Sequence, residues 1–254
     1  MKVSVRIGKL QAIDSGESTA EPYLWPLFFK IDAETFGYAL RAKVATGELG
    51  PAALEARGVD SGVFEAAPTH FDAPGGEHRN LPSMSSGDTH DVGLTWTTTM
   101  RDGGPLLQRG DAVVGVALVL WEEDTFPSNS RVTKEYAQFV RDMERRIEHS
   151  VLRAFEQTKD SGEAATFGYR TKAGDRPTAP FFPESIEGRL QDRFRGLYRA
   201  PMLDTDDFIG AAVWVRSTRQ LRARPNATQS KLWTPTTGSR EGSWRLDLAI
   251  TASE

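Results

Sequence analysis

The chain has 254 residues, of which 39% are hydrophobic and 26% charged, enough to bury a substantial core. A formal charge of −4 and an isoelectric point near 5.7 exclude a nucleic-acid binder that works through general phosphate attraction. The absence of cysteine removes disulfides, thiolate nucleophiles and thiolate metal sites together, and it fits a cytoplasmic or membrane-peripheral setting.

The opening "MKVSVRIGKLQAID" has no apolar leader core. Val3, Val5 and Ile7 alternate with polar residues, the phase slips at Gly8, and Leu10 and Ala12 continue it. Period two with a slip at glycine predicts a bulged strand that delivers Asp14 to an acidic Ser/Gly turn. Tyr23, Trp25, Leu27, Phe29 and Ile31 then alternate as the next strand. Pro26, on the other face, predicts an edge position or a local irregularity there.

Residues 40–90 are rich in Gly, Ala, Pro and His, with "DAPGGEH" and "SMSSGDTHD" as turn clusters and "GELGPAALEARG" as one short helical turn. "VGLTWTTTM", Val92 to Met100, has the Thr and aromatic content that strands favour. Ala112 to Trp121, "AVVGVALVLW", is a continuous apolar run and predicts a strand buried on both faces. It ends in Glu122-Glu123-Asp124, a second acidic turn.

Val132, Tyr136, Phe139, Val140, Met143, Ile147, Val151 and Phe155 recur at intervals of three and four. This spacing predicts an amphipathic helix over 131–157, inside an insertion spanning 128–162. Strands resume around "TFGYRT", and "GDRPTAPFFPE" and a short helix "SIEGRLQDRF" follow. "DTDDFIGAAVWVR" sets a third acidic turn before a strand, and Trp244, Leu246, Leu248 and Ile250 alternate in the last one. The expected architecture is one mainly β domain over residues 1–254, an antiparallel β-sandwich with an α-helical insertion.

Carboxylates therefore cluster at three strand ends: Asp14 with Glu21, Glu122 with Asp124, and Asp204 and Asp206 with Asp207. Loops at one end of a sandwich lie close together, and carboxylates gathered there repel one another unless a cation joins them. Oxygen ligands without His or Cys suit calcium. The plain alternative is that Asp and Ser are ordinary turn formers and these turns are simply solvated.

A resemblance adds to this pattern. "KLQAIDSGESTAEPYLWPLFFKI" resembles the first calcium loop of C2 domains, "VALVLWEED" the strand feeding their third loop, and "DDFIG" the end of that loop. The resemblance implies a C2-like sandwich with calcium ligands at Asp14, Glu21, Glu122, Asp124 and Asp207. It implies contact with an anionic membrane surface or a protein partner, with Phe126 in "DTFPSNS" as the candidate membrane wedge. Departures are Glu21 and Glu122, where the family usually has Asp, and some eighty residues between Asp124 and Asp207, where its third loop is short. The phrase "EPYLW…FFKID" is also similar to sequences of uncharacterised bacterial proteins.

Competing constellations are fewer. His70, Asp72, His78, Asp88, His90 and Asp91 include imidazoles and carboxylates suited to zinc or iron, at no recognised spacing. Glu122, Glu123 and Asp207 have the chemistry of a glycosidase carboxylate pair, with Trp25, Trp96, Trp121, Trp214 and Trp233 as sugar platforms. No nucleophile elbow, Walker loop or dinucleotide fingerprint occurs. "RGD" at Arg109 to Asp111 reads as a turn before a strand, and Asn226-Ala-Thr228 as a chance sequon. The expected activity is calcium-dependent, non-catalytic binding. The alternatives are a structural assembly subunit or homo-oligomer with a stabilising or vestigial ion site, then a metal-dependent or glycoside-cleaving enzyme.

Overall fold

The computed structural model describes residues 1–16, 18–33, 64–65, 81–103, 109–122, 207–234 and 242–254, with backbone alone for 64, 65 and 207. The elements in chain order are β1 (Lys2–Asp14), β2 (Pro22–Ile31), β3 (Phe64–Glu65), β4 (Thr89–Thr99), β5 (Val113–Glu122), β6 (Asp207–Ser217), α1 (Thr218–Ala223), β7 (Asn226–Trp233) and β8 (Ser243–Ser253). The predicted helix over 131–157, its insertion, the strand at "TFGYRT" and the short helix after it lie outside the described residues.

The strands form two four-stranded antiparallel sheets, ordered β4-β1-β8-β7 and β3-β2-β5-β6. Alternation in the first sheet sends Val3, Val5, Ile7, Trp96, Leu246, Leu248 and Ile250 inward, where each is buried. At Gly8 the register of β1 shifts against both β4 and β8, so that Leu10 and Ala12 return to the inner face. The glycine slip therefore is the bulge that the sequence predicts, and it keeps one continuous apolar face on a thirteen-residue strand.

The second sheet packs face to face on the first around one shared core. Phe28 of β2 stacks on Trp96 of β4 with ring centroids 6.0 Å apart. Lys30 Nζ donates to the Thr99 carbonyl at 3.1 Å, and the Trp233 indole N–H donates to the Ala211 carbonyl at 3.1 Å. These contacts place Leu24, Phe28, Val116 and Leu118 on the inner face, because antiparallel partners share a face. Tyr23, Trp25, Leu27, Phe29, Trp121 and Phe208 accordingly lie on the outer face, yet they too are buried.

The aromatic stripe read from the sequence is thus a second apolar layer, on the far side of its own sheet. Trp25 and Trp121 rings lie 4.9 Å apart, with Tyr23 and Phe208 against Trp121 at 6.3 and 5.5 Å. Burying such side chains contributes roughly 1.5–3 kcal/mol each. It explains why β5, internal in this sheet, is apolar on both faces from Val113 to Trp121.

The edge position expected from Pro26 is corrected, because β2 is internal, between β3 and β5. Among the described residues, β3 pairs with β2 at Phe28 and Phe29.

Candidate functional site: the acidic rim

The register of the second sheet brings the ends of all three acidic turns together. Pro22 of β2 pairs with Glu122 of β5, and Glu122 pairs with Asp207 of β6. Adjacent strands are ~4.8 Å apart, so three segments distant in sequence end side by side within ~10 Å. Glu21 stands one residue before this row, and its backbone N–H donates to Glu122 Oε1 at 3.3 Å. Glu122 itself is only 4% exposed.

Asp14 reaches the same end from the first sheet. It closes β1 opposite Ser243, and its Oδ1 accepts the Gly16 N–H at 3.0 Å, a local turn built by the side chain. Gly242, at φ +68°, lies so close over Asp14 and Ser15 that a Cβ there would overlap their backbone. The approach to β8 is thereby clamped onto the β1–β2 turn.

A serine-rich loop completes the rim. Ala20 and Met84 exchange backbone hydrogen bonds at 2.9 and 2.7 Å. Ser15 N–H donates to Ser86 Oγ at 3.0 Å, Ser85 Oγ donates to the Ser18 carbonyl at 3.1 Å, and Ser83 Oγ donates to Glu21 Oε1 at 3.2 Å. Asp88 Oδ2 holds this loop from within by accepting the Ser85 N–H at 2.8 Å. Hydroxyls therefore pin two loops together beside the buried Ala20–Met84 contact.

Asp14 and Glu21 are exposed and have no basic partner among the described residues. Each uses one carboxylate oxygen in the bonds above and keeps the other, which is the donor chemistry that a hard cation takes. Among the described residues alone, no three His, Asp or Glu side chains converge as a ligand set. A set at this rim therefore needs a carboxylate beyond the described side chains. Asp124 and Phe126 lie outside the described residues, as does the Asp207 side chain.

The histidine constellation divides. His70, Asp72 and His78 lie outside the described residues. His90 and Asp91 are consecutive in β4 and so face opposite ways, Asp91 outward to Arg6 at 2.8 Å. All six indoles of the chain are at most 8% exposed, so none presents a face for a sugar. Glu123, proposed for the carboxylate pair, is also outside the described residues.

Sequence reasoning missed a second charged cluster, at the opposite end. Asp102 Oδ1 accepts from Gly110 N–H at 2.8 Å and from Thr218 Oγ1 at 2.7 Å, and Oδ2 pairs with Arg222. Asp111 pairs with Arg219 at 3.0 Å, and buried Asp32 pairs with Lys30 at 3.1 Å. α1 is fixed here by a capping box between Ser217 and Gln220. Burial would raise the Asp102 carboxyl, but the bonds from Gly110 and Thr218 and the Arg222 guanidinium outweigh it and hold the group below the ordinary carboxylate range. The cue lay in spacing: the D-G-G-P turn, "RGD" and "STRQLRAR" alternate in sign, but only the fold brings them together.

Comparison with known protein families, curated proteins and solved structures finds no match to this chain. Among the described residues, no helix is long and apolar enough to cross a membrane.

Proposed function

We propose that the chain is a non-catalytic binding module in which calcium joins the acidic rim and makes it competent for a partner. The observation that carries this reading is the row Pro22, Glu122 and Asp207 across three adjacent strand ends, with Glu21 beside it and Asp14 at the same end. Bound calcium would supply positive charge to oxygens of Asp14, Glu21, Glu122, Asp124 and Asp207, and would link both sheets through side chains. An anionic membrane surface or an acidic protein face would then meet the ion, with Phe126 as the candidate apolar wedge, at the cytoplasmic side of a membrane or in the cytoplasm.

The test is a calorimetric calcium titration with a parallel melting curve. Saturable binding and a higher melting temperature, both removed by Asp207→Ala or Asp124→Ala, support the reading. An unchanged melting curve at millimolar calcium rejects it. Sedimentation with anionic liposomes only in calcium selects the membrane as partner.

A second reading, an assembly subunit whose ion is merely stabilising, draws on the serine contacts. Ser15, Ser83, Ser85 and Ser86 already hold the rim loops together, so an ion there need not present anything to a partner. Calcium binding without liposome sedimentation, in a protein that self-associates, favours it.

A further inference from the structure

The outer face of the first sheet is polar and carries a trough that the rim does not use. β1 bulges against both neighbours at Gly8: Ile7 pairs with Leu94 but Lys9 with Asp91, and Ile7 pairs with Leu248 but Leu10 with Leu246. A double bulge bends the strand, and a glycine at the bend leaves a hollow. The hollow measures about 570 Å³ and is lined by Arg6, Lys9, Asp91, Thr228, Ser230 and Asp247. A second hollow of about 670 Å³ continues it towards Gln11 and Arg245, with Lys9, Ser230 and Asp247 as the shared wall. Both hollows are open to solvent along the sheet face.

The charges in this double trough are not equivalent. Arg6 Nη2 contacts both oxygens of Asp91, at 2.8 and 3.2 Å, and is neutralised by it. Asp247 Oδ1 accepts from Ser230 Oγ at 2.6 Å. Lys9 and Arg245 have no hydrogen-bond or ion-pair partner among the described residues. Gln11 pairs with Arg245, so Lys9 stands on the diagonal from Arg245, ~7–8 Å away on the same face.

We propose that this trough binds an acidic oligosaccharide. Its carboxylates meet Lys9 and Arg245, and its ring hydroxyls donate to Asp247 and exchange hydrogen bonds with Ser230 and Thr228. Three features of the trough select this ligand class. A DNA phosphodiester strand has no free ring hydroxyls within its chain to donate to the Asp247 carboxylate. An acidic peptide has no ring of hydroxyl donors for the Asp247 carboxylate. A neutral sugar has no aromatic platform here, because every indole is buried.

The experiment is a calorimetric titration of the full chain with a uronic-acid oligomer, a neutral glucose oligomer of equal length and an oligoglutamate. A chelator is present throughout, so that the outcome is independent of any cation at the rim. The expected result is binding of the uronate oligomer alone. The double variant Lys9→Ala/Arg245→Ala should bind it about tenfold or more weakly, the size of one lost charge-assisted hydrogen bond. Asp247→Asn should also weaken it, which a purely electrostatic contact would not do. All three positions are on the polar face, so the variants keep the core. Absence of uronate binding, equal binding of oligoglutamate, or undiminished affinity in the double variant overturns the proposal.

Discussion

Gly210 and Trp233 fit together as hollow and filler across the two sheets: a Cβ on Gly210 would overlap the indole ring. The same indole donates its N–H to the Ala211 carbonyl at 3.1 Å. Gly210→Ala should therefore push Trp233 out of its seat and destabilise the fold by ~1–3 kcal/mol, the cost of overpacking a filled site. Trp233→Phe should cost about 1 kcal/mol more than its lost area explains, because the Ala211 bond goes with it. Urea unfolding of both variants checks this, and a Gly210→Ala protein as stable as the parent would contradict the packing described.

Asp102 ties the loop after β4 to α1 through Gly110, Thr218 and Arg222. Asp102→Asn should lower stability at neutral pH by ~1–3 kcal/mol, the range for a charged hydrogen-bonded group that loses its partners. The group is held below its ordinary value in the folded protein, so its contribution is complete above the unfolded carboxylate value, near pH 4. It is lost as pH falls through the lower folded value. The gap between parent and variant should be constant from neutrality down to about pH 5, then close with further acid. A gap that instead widened in acid would refute this assignment.

Gly242 sits at φ +68° over the backbone of Asp14 and Ser15. Gly242→Ala combines a left-handed conformation that alanine resists with a direct overlap, and should cost ~1–3 kcal/mol or more. Because the clamp shapes the β1–β2 turn, any calcium affinity of the rim should fall in parallel. Melting curves with and without calcium measure both effects.

Glu122 accepts the Glu21 N–H through Oε1 and is buried at the rim. Glu122→Gln keeps the acceptor for the Glu21 N–H and the side-chain volume. If calcium binds here, the variant should lose most of the calcium-induced rise. Equal rises in parent and variant would remove Glu122 from the ligand set.

Much of the sandwich was legible because period two survives in β1 and β8, because aromatic residues mark β2, and because the bulge at Gly8 announces itself as a phase slip. The continuous apolar run of β5 likewise foretold a central strand covered on both sides. β7 was not legible: "NATQSKLW" is largely polar because it lies at the outer side of the first sheet, solvated over most of its length. α1 was hidden by its shortness, since six residues give no periodicity. Nor could alternation say which face of β2 met the other sheet, because both faces are apolar. Only the register with β5 and the Phe28–Trp96 contact decide it. At the rim, the sequence supplied the carboxylates and the fold supplied their adjacency for Glu21, Glu122 and Asp207. The serine ties, and the bonds of Asp102 and Asp111 to α1, depend on contacts between residues some sixty to over a hundred positions apart, which no local pattern encodes.

The six indoles sample every layer of the protein: Trp96, Trp233 and Trp244 in the first sheet, Trp214 on the inner side of the second, and Trp25 and Trp121 beyond it. Native emission should accordingly be blue and poorly quenched by acrylamide. Partial unfolding that strips only the outer layer would redden part of the signal before the rest. The chain thus carries its own optical gauge of whether both layers melt together.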